Sequence, residues 1–287
     1  MIAPTIDFRN CDCFDTMKDM EDNSIKLIVT DPPYGINFSG VTSDTSWDKM
    51  DYEEFLTKFL NEVKRILTDD GTLWMCCGRT QIPTVFKVIE KVGLKCNLEN
   101  WLTYARQKGR GAKNKLKSQA EEILHITKTN KYTWNPVEYL RECVVPYVKD
   151  GKPRGWFLDQ TTGMRVRWSG VGNVLAFTSP FFKSKFEKQI HSTQKPVLLF
   201  VELIMLSSKP GDFVFDPFAG SGASGVAAQM CDRNYLGCEL DEDMWSKAEH
   251  WVTNYDKELA RLSLELSKVE AGVARGEAMF NNPSFVA

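Results

Sequence analysis

Histidine is scarce in this sequence: three residues among 287, at positions 125, 191 and 250. Their wide spacing excludes a helix-borne pair of metal ligands and gives little support to paired His/carboxylate catalysis. The eight cysteines (11, 13, 76, 77, 96, 143, 231 and 238) form no C-x-x-C pair. Neither a zinc site nor a thioredoxin-like redox centre is therefore expected, no metal is called for, and buried free thiols are the better reading. Long apolar runs are missing too. Residues 197–206 are interrupted by Glu202, which leaves nothing near the ~18 apolar residues of a membrane span. Asp7, Arg9 and Asp12 stand where an export signal needs an apolar stretch, so the protein is expected to stay in the cytoplasm, away from membranes. With 43% hydrophobic and 26% charged residues, the composition excludes disordered and collagenous chains as well.

The net charge of −2 hides an uneven distribution. Residues 1–100 hold 11 Lys and Arg against 17 Asp and Glu, residues 101–195 hold 18 against 7, and residues 196–287 hold 7 against 14. A basic middle between acidic ends indicates a locally cationic surface, for which nucleic acid is the usual partner; a solvated face is the bland alternative.

The β-branched run 25–30 stops at Asp31-Pro32-Pro33-Tyr34, where two prolines forbid further ladder pairing, so a buried strand ends there. Apolar residues at helical spacing predict a helix over 52–67, closed by Asp69-Asp70-Gly71 before a strand at 72–76. A helix at 82–92 and a strand at 98–104 follow. This alternation predicts an α/β sheet covered on both faces. Residues 106–117 carry Arg106, Lys108, Arg110, Lys113, Lys115 and Lys117 with no acid among them and read as an exposed basic loop. From 131 to 188 the rhythm is lost in a mixture of aromatics, cations and glycines, which predicts an irregular inserted module. Alternation resumes with a helix at 196–207, a strand at 213–215, a helix after Gly222 and a strand at 235–238. Val252, Tyr255, Leu259, Leu262, Leu266 and Val269 share one helical face. Docking on the chain's own domain is favoured there over a dimer seam, because fewer than three heptads is short for a coiled coil.

Two stretches carry chemistry. In residues 212–225 a short apolar strand runs into Asp216-Pro217-Phe218-Ala219-Gly220-Ser221-Gly222 and then a helix, with Glu239 ending the next strand. Gly220-x-Gly222-x-x-Gly225 matches the dinucleotide fingerprint, so an NAD dehydrogenase is a legal reading, weakened by the short chain beyond Gly225. More generally, such a turn lets backbone approach a ligand, and the following acid can accept bonds from ribose hydroxyls; any adenosine-containing cofactor fits. The second stretch is Asp31-Pro32-Pro33-Tyr34. An aromatic amine is a poor nucleophile because its lone pair is delocalised into the ring. A carboxylate (Asp31) and a carbonyl in a rigid turn (Pro32) can accept its hydrogens and direct the lone pair at an electrophile, while Tyr34 can stack on the base. Taken alone, the same four residues could equally be a strand-ending turn.

Together, D-P-P-Y and D-P-F-A-G-S-G resemble the S-adenosylmethionine-dependent DNA amino-methyltransferases. Their order, with the glycine motif about 185 positions after Asp31, resembles the permuted β class of adenine N6 enzymes. Asn10-Cys11-Asp12-Cys13 is similar to the family's G-D-C segment, with Asn10 and Cys11 departing from it. Trp47-Asp48 and residues 52–55 resemble the family's loop and following helix. His191-Ser192-Thr193-Gln194-Lys195-Pro196 resembles its H-P-T-Q-K-P element, with Ser192 in place of proline.

The resemblance implies a Rossmann-like seven-stranded methyltransferase sheet with helices on both faces, a circularly permuted motif order and an inserted target-recognition region. It divides the chain into a catalytic half (1–130), the insert (131–189), a cofactor-binding half (190–255) and a C-terminal helix and tail (256–287). It implies Asp216, Glu239, Asp12 and Asp31 at the ends of four neighbouring strands. Asp216, Ala219, Gly220, Ser221 and Gly222 would face the cofactor's methionine part, together with His191, Ser192, Thr193 and Lys195. Glu239 and Leu240 would lie at the ribose, Asp12 and Cys13 at the adenine, and Phe218 at the cofactor edge near Tyr34. Methyl transfer to a flipped-out adenine, yielding S-adenosylhomocysteine, would centre on Asp31, Pro32, Pro33 and Tyr34. The cations of residues 106–117 and Arg154, Arg165 and Arg167 would hold phosphates or read bases. Double-stranded DNA is the implied partner; a homodimer and a cognate restriction endonuclease are left open. Asp31 favours adenine, because the related cytosine N4 enzymes more commonly carry serine there. Cytosine N4 methylation, RNA or protein-amide methylation and a non-catalytic cofactor- and DNA-binding regulator are the competing readings.

Overall fold

A computed structural model describes residues 3–34, 51–110, 114, 116–142, 148–150, 152–153, 155–158, 160, 163–175, 190–191 and 193–253. The chain begins with β1 (Ile6–Asn10), α1 (Cys13–Asp19) and β2 (Ile25–Thr30), followed by α2 (Tyr52–Ile66), β3 (Leu67–Cys77), α3 (Ile82–Val92) and β4 (Lys95–Cys96). Next come β5 (Leu102–Arg110) and β6 (Ser118–Thr127), then the short strands β7 (Glu138–Glu142), β8 (Val148–Lys149), β9 (Lys152–Pro153), β10 (Phe157–Leu158), β11 (Arg165–Gly170) and β12 (Val174–Leu175). It closes with α4 (Val197–Ser207), β13 (Phe213–Asp216), α5 (Ala223–Met230), β14 (Asn234–Glu239) and α6 (Glu242–Thr253).

The main sheet runs β1-β14-β13-β2-β3-β6-β5-β12, with β4 paired to β6. β1, β14, β13, β2 and β3 are parallel, and β6 enters antiparallel between β3 and β5. The seven strands expected are present and are extended by two two-residue strands, β4 and β12. Strands from the far end of the chain, β13 and β14, fill the gap between β1 and β2, which is how the permuted motif order closes into one sheet.

Alternation along the strands divides the core in two. On one face Leu27, Val29, Trp74, Cys76 and Val214 pack under α4, α5 and α6. On the other, Ile28, Leu73, Met75 and Phe215 pack under α1, α2 and α3. All eleven residues of α4 are buried, so its final carbonyls need partners within the protein. Asn135 supplies them: its Nδ2 donates to Met205 O (2.8 Å) and Ser208 O (2.7 Å), and its backbone N–H to Leu206 O. The described residues after 131 are less irregular than their sequence indicates. β10, β11 and β7 form an antiparallel sheet, β8 pairs with β9, and β12 joins the main sheet beside β5.

Three expectations need correction. Asp69-Asp70-Gly71 does not separate α2 from the next strand, because β3 starts at Leu67 directly after the helix, and residues 98–100 form a short 3-10 turn before β5. Residues 106–110 are not a loop, because β5 continues to Arg110, shifts register after Ala105 and pairs again at Ser118 of β6. Cationic side chains gave no strand signal there; the pairing partner lies across the hairpin. Because β3 ends at Cys77 opposite Glu122, residues 104–110 and 118–121 project beyond the carboxyl edge of the parallel strands.

Candidate active site

Four carboxylates stand in a row at that edge. Asp12 follows β1, Glu239 ends β14, Asp216 ends β13 and Asp31 follows β2, and these strands are neighbours in that order. Open α/β sheets bind ligands at this edge, where parallel strands end and loops diverge.

Asp216 is buried, and its Oδ1 accepts from Thr30 Oγ1 (2.8 Å) and Phe218 N (3.1 Å) while Oδ2 accepts from Ser224 Oγ (2.6 Å). Burial nevertheless pushes its carboxyl up to about 7, because those donors only partly replace water. Glu239 is also raised by burial. Its Oε2 accepts from Gly220 N (2.9 Å) and its Oε1 from Asp241 N (2.8 Å), which fixes the carboxylate against the glycine turn. In that turn Gly220 has φ +51° and Gly222 φ +78°; a Cβ on Gly222 would lie 2.5 Å from Val252 Cγ2, so only glycine fits. Ala219 N donates to Cys238 O at 2.9 Å, and Ser221 is buried. Phe218 packs edge-on against Phe55 and Phe59 of α2, with centroids 5.9 and 5.3 Å apart, so the opposite core layer anchors it. Asp12 caps α1 by accepting from Phe14 N (2.8 Å), Cys13 is buried beside it, and Leu240 lies exposed after β14.

At the other end of the row, Asp31 Oδ1 accepts from Tyr34 Oη at 2.5 Å and Oδ2 accepts from the Lys195 ammonium. Pro32 is buried and Pro33 half-buried, so the turn is packed as well as conformationally fixed. Burial, followed by the Asp31 charge, raises the Tyr34 hydroxyl well above the usual phenol range. Burial alone would lower Lys195; the facing carboxylates of Asp31 and Glu121 outweigh it and hold the ammonium charged. His191 Nδ1 meets Thr193 Oγ1 at 2.8 Å within a turn closed by Gln194 N donating to His191 O, and burial lowers its imidazole.

The row and the glycine turn thus come together with Asp31, Pro32, Pro33, Tyr34 and Lys195. Glu121, on β6, was not singled out by the sequence, and neither were Thr30 and Ser224, which hold Asp216. Thr30 precedes Asp31 directly, but nothing local marked Glu121. Ser192, Lys113, Lys115, Arg154, Trp47 and Asp48 lie outside the described residues, as do the seam positions beyond Val252 and the side chains of Lys108 and Arg110. Arg106 is turned inward, with Nη1 2.8 Å from Glu121 Oε1. Lys117 is exposed beyond the sheet edge. On β11, Arg165 and Arg167 are exposed while Val166 between them is buried, and Arg165 lies over the Trp156 ring, 5.6 Å from its centroid.

A doubly covered α/β sheet with a glycine turn and an acidic row at its carboxyl edge defines a Rossmann-like enzyme for a nucleoside-bearing cofactor. Among the described residues no helix is long and apolar enough to cross a membrane. Residues 25–250 match the DNA methylase family of N6/N4 enzymes, and the chain belongs to that family. It is 30% identical over 235 residues to the type II methyltransferase M.HpaI of Haemophilus parainfluenzae, covering 79% of this chain and 68% of that protein. It is also 30% identical over 257 residues to M1.MboII of Moraxella bovis, covering 82% of this chain and 92% of the relative. Among solved structures, PvuII DNA methyltransferase (cytosine-N4-specific) shares the fold at TM-score 0.63 and 15% identity, covering 91% of this chain and 92% of that one. The complex of M1.HpyAVI with S-adenosylmethionine does so at TM-score 0.56 and 19% identity, covering 88% of this chain and all of that one.

Proposed function

We propose that this chain methylates the N6 amine of adenine in double-stranded DNA, with S-adenosylmethionine as methyl donor. The observation that carries this reading is the Asp31 carboxylate, fixed by Tyr34 and Lys195 beside the rigid Pro32-Pro33 turn and one strand away from Asp216. The donor fits the edge chemically: an acidic row suits a cationic ligand, the rigid Glu239 carboxylate suits a ribose diol, and the Gly220–Gly222 turn has no Cβ to block close approach. When bound, S-adenosylmethionine supplies an electrophilic methyl group on a positively charged sulfur.

This chain's residues then act by positioning. Asp31 and the Pro32 carbonyl accept the amine hydrogens, which turns the nitrogen lone pair toward the methyl group. Tyr34 packs against Gly78, where an added Cβ would stand 3.4 Å from its Cδ2, and this sets the tyrosine ring as the wall on which the extruded base stacks. His191, Thr193, Ala219, Ser221 and Leu240 line the cofactor side, with Asp12 and Cys13 at the adenine. Lys117, Arg165 and Arg167 face the DNA from the projecting β5–β6 hairpin and from the insert. Residues 1–130 and 190–255 accordingly form one catalytic unit, interrupted by a target-recognition insert at 131–189.

The test is to incubate the protein with S-adenosylmethionine and unmethylated bacterial genomic DNA, digest completely and measure methylated nucleosides by mass spectrometry. N6-methyladenine is expected. N4-methylcytosine would replace adenine by cytosine, and no methylated base with retained cofactor binding would point to a non-catalytic binder.

A further inference from the structure

Lys195 lies between two carboxylates. Its ammonium bonds Asp31 Oδ2 on one side and stands 3.0 Å from Glu121 Oε2 on the other, an ionic contact off the line of a hydrogen bond. Only 7% of the lysine side chain and 15% of the glutamate side chain are exposed. Behind Glu121, Arg106 places Nη1 2.8 Å from Oε1, and its Nη2 donates to Ser118 O at 3.2 Å. Asp31, Lys195, Glu121 and Arg106 therefore form an alternating line of charges that runs from the candidate reacting centre into the β5–β6 hairpin.

Such a line has a consequence for Asp31. A buried ammonium with a single carboxylate partner draws that carboxylate toward itself, and with Oδ1 already accepting from Tyr34 this turns the remaining lone pairs of Asp31 away from an incoming amine. Shared between two carboxylates, the ammonium is held at a fixed place and Asp31 keeps an accepting edge for an amine. Resemblance alone sets Lys195 against the cofactor's methionine part, yet the structure turns it to Asp31 and Glu121.

We infer that Glu121 is a positioning residue for amine methylation: it shares the Lys195 ammonium with Asp31 and thereby keeps the Asp31 carboxylate oriented and open to the target amine. The inference rests on the amine-methylation reading above. Arg106, whose Nε is buried without a hydrogen-bond partner among the described residues, holds Glu121 in turn.

The experiment is a double-mutant cycle on the full chain, with kcat and cofactor KM read from DNA methylation and S-adenosylhomocysteine affinity read by calorimetry. Glu121→Gln should lower kcat about 10- to 100-fold, the scale of a misplaced reacting group, while cofactor KM and S-adenosylhomocysteine affinity stay within about threefold. Because Glu121 acts through Lys195, adding Glu121→Gln to Lys195→Met should cost nothing further. Losses that multiply overturn the inference, as does Lys195→Met weakening S-adenosylhomocysteine more than about tenfold, which would make the lysine a cofactor ligand. If Lys195→Met does not fold, Glu121→Gln alone decides: a loss confined to kcat with unchanged S-adenosylhomocysteine affinity supports the role, and an unchanged kcat or a loss carried by cofactor affinity refutes it. A wild-type chain that yields no methylated base overturns the functional reading and this inference together, whereas an active wild type with multiplying losses overturns the inference alone.

Discussion

Replacing Asp216 by asparagine should remove a pH-dependent weakness from the ligand-free protein. Burial raises the Asp216 carboxyl from 3.8 to about 7, so the folded state holds this proton more tightly than the unfolded chain. Its contribution to stability is whole below the unfolded value and is lost as pH rises through about 7. At roughly 1.36 kcal/mol per pH unit, that interval corresponds to about 4 kcal/mol. The isosteric amide keeps Oδ1 for Thr30 and Phe218. Its Nδ2 would face Ser224, whose hydroxyl can turn to accept because Tyr235 Oη, 2.9 Å away, can take its proton. Urea unfolding of both proteins between about pH 3 and about pH 8.5 measures the effect, and taking the difference cancels groups common to the two. The curves should converge at the acid end, and the variant should gain up to about 4 kcal/mol on wild type at the alkaline end. A difference that stays constant across the range would show that the carboxyl does not titrate between folded and unfolded states, and would refute the reasoning.

Gly222→Ala should destabilise by about 2–4 kcal/mol in thermal unfolding, because it combines left-handed backbone at φ +78° with a Cβ 2.5 Å from Val252 Cγ2. Asp31→Ala should lower methyl transfer about a thousandfold in the nucleoside assay while S-adenosylhomocysteine binding stays within about threefold, since Glu121 still partners Lys195; retained methylation would remove Asp31 from the mechanism. Arg165→Gln and Arg167→Gln should each reduce the salt slope of DNA affinity by about 0.9 if they meet phosphate, and relax sequence preference with little change of slope if they read a base. Fluorescence anisotropy on several duplexes at graded salt distinguishes the two.

The elements that carry the site were legible because their signals are local. Two prolines end a β-branched strand at Asp31, glycines with positive φ mark the turn at 220–222, and helical spacing gives α2 and α3 almost to the residue. Through its resemblance to the permuted family, the motif order also implied that strands from both ends of the chain interleave. What stayed hidden depends on contacts between residues far apart in sequence. The cationic run 106–110 becomes strand only because β6 pairs with it, and Arg106 turns inward only because Glu121 waits there. Lys195 lies 164 positions from Asp31 in sequence, and no periodicity connects them. The sequence by itself determined the α/β alternation and the two motif turns, since propensity, period and turn chemistry act over a few residues; the permuted sheet order and the row of acids along its edge followed only from the motifs' resemblance to a family. Tertiary structure alone decided how those acids are charged and shared, because burial and ion pairing depend on which side chains the closed sheet brings together.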